Sequence, residues 1–191
     1  MSASSSHSAL KPGQIIAARQ LATLNGLTPL PDPNRLIHLQ FRRFAGCPVC
    51  DLHLHSIAQR HDEIVSARVL EVAVFHSSAD DLRPFTAALP FAVVADPQKK
   101  LYAEFGAEAS PRALLNPRAW LPILRGLLRS IGRVLLGRQP VTSVNPEGGV
   151  LGLPADFLID RDGRILACHY GTHIYDQWSV DDLLQHAAKA R

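Results

Sequence analysis

The order of elements in this sequence predicts an α/β protein: a central mixed β-sheet flanked by helices. Three observations predict it. Strand-like apolar runs alternate with helical patterns between residues 36 and 105, the arrangement of parallel βαβ units. Two further strand patterns, joined by Asp160-Arg161-Asp162-Gly163, add a late antiparallel hairpin. The 191 residues, 47% of them hydrophobic, suffice for one domain with a sizeable core and some decoration.

Taken in order, residues 1–9 are a polar, Ser-rich tail without the apolar stretch of a secretory signal, and a single domain fills residues 10–191. Residues 10–33 are broken by Gly13, Gly26, Pro29, Pro31 and Pro33, which predicts a short hairpin or pair of loops. Residues 36–44 alternate, with Ile37, Leu39 and Phe41 on one face and His38, Gln40 and Arg42 on the other. This is a strand, expected to be central. Ala45 and Gly46 turn the chain into Cys47-Pro48-Val49-Cys50. Pro48 suits a first helical position, and Cys50, Leu54, Ile57, His61 and Ile64 recur at steps of three and four, a helix with one buried stripe.

A second strand is predicted at 69–75, a short helix at 78–89, a third strand at 91–95 and a helix at 98–105 closed by Gly106. An insertion of about residues 109–150 follows. It holds an amphipathic helix over 118–136, with Leu121, Leu124, Leu128, Ile131 and Leu135 on one face and Arg118, Arg125, Arg129 and Arg133 mostly on another. Residues 137–152 read as a Gly- and Pro-rich loop. Strands at 155–159 and 165–170 then lead to a last helix at 180–190, capped by Ser179, with Asp181 and Asp182 in its first turn.

The net charge of +3 is unevenly distributed. Between Glu108 and Glu147 there are six arginines and no acidic residue, so the rest of the chain is net negative. Trp120 is the only aromatic residue in that basic segment. A nucleic-acid-binding face would be more broadly basic and carry aromatics for stacking, so nucleic acid is not an expected partner. The basic helix of 118–136 has three readings: a lid over the site, a homodimer contact, or contact with an anionic membrane surface. No apolar run approaches the ~20 residues of a membrane span, and a cytoplasmic location is expected.

Three cysteines do not make a disulfide scaffold, and two of them stand as C-x-x-C, which in a reducing compartment points to redox chemistry or metal. A strand before the pair and a helix after it favour redox. A helix N-terminus offers unpaired N–H groups and a dipole that stabilise a thiolate, and C-x-x-C pairs there have lowered thiol pKa values. Arg42 and Arg43 lie just upstream, on opposite faces of the strand, so that at most one of them reaches the pair. The metal reading would combine Cys47 and Cys50 with His169 and His173, over a hundred residues away, whereas compact zinc modules keep their ligands close. No metal or organic cofactor is therefore expected. Cys168 reads as a small, half-buried hydrophobe, Asp51, His53 and His55 as solvated or capping groups, and His169, Tyr170 and His173 as local packing.

Together, Cys47-Pro48-Val49-Cys50 at a strand–helix junction, Pro154 immediately before a strand, Leu10-Lys11-Pro12-Gly13 and Leu24-Asn25-Gly26 near the start, and the turn at 160–163 resemble the thioredoxin superfamily. Within it they are most similar to peroxiredoxin-like (AhpC/TSA-like) proteins. The resemblance implies a thioredoxin-like fold with an N-terminal hairpin and a helical insertion. It also implies a cis-proline, Pro154, facing Cys47 and Cys50 at the substrate. Cys47 and Cys50 would cycle between dithiol and disulfide, with a peroxide or disulfide as substrate and a dithiol reductant such as a thioredoxin-type protein as partner. The thioredoxin pattern makes Cys47 the nucleophile; the peroxiredoxin Thr-x-x-Cys pattern makes it Cys50. Where peroxiredoxins carry an arginine just before the strand near Ala155, this chain has Leu153-Pro154, which favours disulfide exchange over peroxide. The competing class is a non-enzymatic adaptor or metal-stabilised module whose basic helix binds a partner.

Overall fold

The computed structural model describes residues 9–107, 120–137, 149 and 152–190. Most of the polar tail lies outside the described residues, as do Arg112, Arg118, Arg138 and nearly all of the predicted loop of the insertion. Among the described residues seven strands form one sheet: β1 (Arg19–Thr23), β2 (Gly26–Leu30), β3 (Leu36–Phe41), β4 (Val69–Phe75), β5 (Ala92–Ala95), β6 (Ala155–Ile159) and β7 (Ile165–Tyr170). Their order is β2-β1-β5-β4-β3-β6-β7. The β3–β4 and β4–β5 pairs are parallel and the others antiparallel, so the sheet is mixed, as predicted. The residues at 10–33 do form a hairpin, with Gly26 at φ +136° where the chain reverses.

Helices are α1 (Pro48–Gln59), α2 (His61–Ser66), α3 (Ala79–Thr86), α4 (Lys100–Phe105), α5 (Trp120–Leu135) and α6 (Val180–Lys189). The single helix predicted from Cys50 to Ile64 is two. Arg60 leaves helical geometry at ψ 20° and separates α1 from α2, while Ile57 and Ile64 remain in the same core. Ser179 caps α6 through a reciprocal box with Asp182.

Both faces of the sheet are covered. On one, Ile37, Leu39, Phe41, Val72, Val74 and Phe157 pack against the N-terminal hairpin and against Tyr102 and Phe105 of α4. On the other, Leu36, Ala73, Phe75 and Leu158 meet Leu54 and Ile57 of α1, Leu82 of α3 and Leu183 of α6. Strands covered on both faces are usually apolar throughout. Here the α1 face of β3, β4 and β6 also carries His38, Gln40, Glu71 and Asp156, all fully buried.

Candidate functional site

The end of β3 delivers the chain to the cysteines. Ala45 N–H donates to Ser77 Oγ at 2.9 Å, anchoring the turn between β3 and α1 to the end of β4. Cys47 is the N-cap of α1, Pro48 occupies the first turn, and Cys50 N–H donates to Cys47 Sγ at 3.3 Å. A side chain that accepts the first free amides of a helix is doing what Ser or Asp does at other caps, and a sulfur in that place is favoured as the anion. The Cys50 thiol donates to Cys47 Sγ across 2.7 Å, and Arg43 Nη1 donates to the same sulfur from 3.7 Å.

These contacts separate the two thiols chemically. Burial opposes ionisation of Cys47, but the Cys50 hydrogen bond, the Arg43 charge and the Cys50 and Val49 amides outweigh it and bring the thiol down to about 7. Burial, donation to Cys47 and the charge on Cys47 push Cys50 well up. Cys47 is thus the more acidic thiol, and Cys50 the one that donates to it. Both are enclosed, 2% and 4% exposed, in a cluster with Phe44, Val49 and Ile174. A small cavity of about 20 Å³, open to solvent and lined by Phe44, Asp51, Leu54, Phe75, Phe85 and Thr86, reaches the pair.

The two arginines of 42–43 have different tasks. Arg43 turns to Cys47 and over the Phe44 ring, 5.1 Å from its centroid. Arg42 turns inward and is 1% exposed. Its Nη2 donates to Asp156 Oδ1 at 2.7 Å and to His53 Nε2 at 3.2 Å, and its Nε donates to Gln40 Oε1 at 2.9 Å. Gln40 passes the network to Glu71 at 2.7 Å. His38 lies between two carboxylates, with Nδ1 2.8 Å from Glu71 and Nε2 3.2 Å from Asp156. Burial disfavours its charge, yet Glu71 and Asp156 together raise it to about 9, so both ring nitrogens donate. His53 is held neutral by burial and by Arg42. Two carboxylates, a guanidinium and an imidazolium thus balance beneath α1, and His53 ties that helix to the network.

Sequence reasoning missed this network. His53 is buried three residues after Cys50 and faces the sheet, not solvent, because residues three apart share a helix face. Asp51 is ion-paired, its carboxylate 2.7 Å from Arg133 and 3.7 Å from Arg129 of α5. The signal was present as polar residues at alternate positions of strands whose two faces are both covered.

The expectation for Pro154 needs correction. Among the described residues the only cis peptide bond is Leu30–Pro31, so the Leu153–Pro154 bond is not cis. Pro154 lines a different cavity, with Tyr170, Gly171, Ala107 and Leu153, that neither cysteine enters. Its neighbour Leu153 packs on the cysteine cluster instead. Cys168 is half-buried in β7, its thiol 3.5 Å from the Leu10 carbonyl. His169 is paired with Asp176 at 2.9 Å. Among the described residues no three His, Cys, Asp or Glu side chains converge as metal ligands.

The lid reading of the basic helix has a definite geometry. α5 crosses α1 so closely that a Cβ on Gly126 would lie 2.7 Å from the Pro48 carbonyl oxygen. Gly126 and Ser130 are buried at that contact, and Arg133 clamps Asp51 beside it. The face turned to the protein is thus the small and basic one, not the leucine face.

A sheet of this order, with a cysteine pair opening the helix after its inner strand, is a thioredoxin-like fold of the peroxiredoxin type. Residues 54–173 match the model of the AhpC/TSA antioxidant enzyme family, and the chain belongs to that family. The match begins at Leu54, just past Cys50. Among solved structures, the chain is similar to the peroxidoxin BcpB of Mycobacterium tuberculosis, at 16% identity and TM-score 0.63, covering 95% of this chain and 99% of that one. It is similar to a cysteine-to-serine mutant of peroxiredoxin 6 of Arenicola marina, at 13% identity and TM-score 0.68, covering 95% and 73%. It also resembles AhpC of Mycobacterium tuberculosis, at 16% identity and TM-score 0.63, covering 95% and 93%. At such identities these likenesses carry the fold alone. No curated protein matches the chain.

Proposed function

We propose that the protein is a thiol-dependent peroxidase in which Cys47 attacks and Cys50 resolves. The observation that carries this reading is the Arg43 guanidinium, 3.7 Å from a buried Cys47 sulfur that caps a helix and is acidic to about 7. The arginine absent before Ala155 has a counterpart here, delivered from the β3 side. The enclosed thiols and the small size of the cavity beside them favour a small electrophile over the bulky disulfide of a folded protein.

In the first step the Cys47 thiolate attacks one oxygen of a hydroperoxide, ROOH. The O–O bond breaks, the Cys47 S–O bond forms, and the alkoxide leaves as ROH after taking a proton; Arg43 stabilises charge on the departing oxygen. Cys47 is then a sulfenic acid. Cys50 sulfur attacks Cys47 sulfur, the S–O bond breaks, and hydroxide leaves as water with the Cys50 proton. A dithiol reductant of the thioredoxin type returns the Cys47–Cys50 disulfide to two thiols and is itself oxidised.

The test is a pair of variants, Cys47→Ser and Cys50→Ser, assayed for hydrogen peroxide consumption and for reduction of a protein disulfide. Cys47→Ser is expected to abolish peroxide turnover. Cys50→Ser is expected to stop after one equivalent, with a sulfenic acid on Cys47 trapped by dimedone. Peroxide turnover that depends on Cys50 but survives loss of Cys47 would overturn the assignment. A mixed disulfide on Cys47 with a protein substrate, without peroxide turnover, would replace it with disulfide exchange.

A further inference from the structure

The one long apolar stripe that the fold leaves uncovered among the described residues is on α5. Leu121, Leu124, Leu127, Leu128, Ile131 and Leu135 recur at helical spacing along a single side, and their exposure runs from 47% to 81%. This is the reverse of an ordinary surface helix, which turns such a stripe to the core. The opposite side is already used: Gly126 and Ser130 are buried where α5 meets α1, and Arg129 and Arg133 reach Asp51. Rotating the helix to bury the leucines would break that ion pair and lose the close contact at Gly126. A patch of this size marks an interaction surface.

We propose that the outer face of α5 docks on an anionic lipid surface, with the leucine stripe seated among the acyl chains and Arg125 at headgroup level. Charge carries the choice of occupant. The sequence between Glu108 and Glu147 holds six arginines and no acidic residue, and Arg125 is exposed at the border of the stripe. An interfacial helix joins these two properties, an apolar side and a basic margin, and each basic residue near an anionic leaflet adds attraction. A second copy of the chain fits less well. A two-fold contact through α5 would set one basic segment against another. None of the described helices is long and apolar enough to cross a membrane; the geometry is that of a helix lying flat.

The test uses the full chain in sedimentation with vesicles and is independent of thiol chemistry. Vesicles of phosphatidylcholine with about 30% phosphatidylglycerol should bind the protein at least about tenfold more tightly than phosphatidylcholine alone. Raising salt from ~0.05 M to ~0.5 M should weaken that binding severalfold, because screening shortens the reach of the arginines. The double variant Leu128→Gln, Ile131→Gln alters only exposed side chains. It should keep the thermal unfolding curve and lose binding by more than about tenfold. Failure to bind anionic vesicles, or binding undiminished in that variant, would overturn the proposal. So would a dimer in vesicle-free buffer that the same variant dissociates, which would make the stripe a self-interface.

Discussion

Arg43→Met isolates the charge that the proposed chemistry needs. The methionine keeps an apolar stem over Phe44, where the guanidinium now lies 5.1 Å from the ring centroid, and removes the cation 3.7 Å from Cys47 Sγ. A unit charge at that distance is worth about 4.5 kcal/mol at an effective dielectric of 20 and about 1 kcal/mol in bulk water. The cysteine is buried but borders a solvent-connected cavity, so we take about 2 kcal/mol, or about 1.5 pH units. The thiol should then titrate near ~8.5 in the variant, against about 7 in the native protein. At pH 7 the thiolate fraction falls from about one half to about 3%. A more basic thiolate is, however, a better nucleophile: a Brønsted slope of about 0.4–0.5 returns about fivefold. Alkylation by iodoacetamide at pH 7 should therefore slow only about threefold, and above about pH 8 the variant should react faster than the native protein. The assay is the pH profile of Cys47 alkylation, read by mass spectrometry of the peptide bearing it. A midpoint unmoved by the substitution would refute the reasoning, and the role of Arg43 toward peroxide would fall with it.

Other outcomes follow from the same geometry. Gly126→Ala places a methyl 2.7 Å from the Pro48 carbonyl oxygen, so α5 must shift off α1; alkylation of Cys47 should quicken severalfold while the main thermal transition, set by the sheet, moves little. Asp156→Asn leaves Arg42 and His38 buried without their shared carboxylate and should cost about 3–5 kcal/mol in urea unfolding. The pH dependence of stability has two opposed parts. His38, raised to about 9 when folded, contributes fully below its unfolded value near ~6.5, and that contribution is lost as pH climbs through about 9. Cys47, lowered to about 7, gains stability over about pH 7 to ~8.5. Thermal unfolding should accordingly change little across that range in the native protein and fall steeply in Cys47→Ser. An equal slope in both would contradict the lowered titration of Cys47, and a flat profile in Cys47→Ser would contradict the charge on His38. On the acid side Asp156, depressed by Arg42 and His38 against the cost of burial, contributes above ~3.9, and stability should drop as pH falls below that value.

The sheet was legible because its signals are local. The alternation at 36–44, the apolar run at 69–75 and the turn at 160–163 each declare a strand or hairpin without reference to the rest of the chain; the observed strands coincide with them, except that β3 ends at Phe41, three residues early. The junction at Cys47 was legible for the same reason, since a strand, a two-residue turn and a proline at the first helical position are contiguous. The break at Arg60 was not, because Ile57 and Ile64 keep their helical phase across it. Pro154 shows where resemblance misleads: a proline before a strand matches a family position in sequence, yet its peptide bond is not cis, and the cavity it lines is completed by chain far from it in sequence, at Ala9 and Ala107.

The least legible part of the site is the one that pairing creates. His38 on β3, Glu71 on β4 and Asp156 on β6 are each ordinary when read alone, as a polar residue alternating with apolar ones. The parallel register sets His38 opposite Glu71, and the antiparallel one sets Asp156 opposite Gln40. That juxtaposition, with both faces of the sheet covered, converts three surface-like positions into a buried charge-balanced cluster. A half-satisfied version would be worse than an apolar core, so the members are coupled: each is tolerable because the others are present. Arg42 is consumed by this cluster, and that leaves Arg43 for the cysteine. Which of two adjacent arginines serves Cys47 is thus decided on the far side of the strand, by Asp156 and His53, and not by anything in the sequence around the cysteine pair.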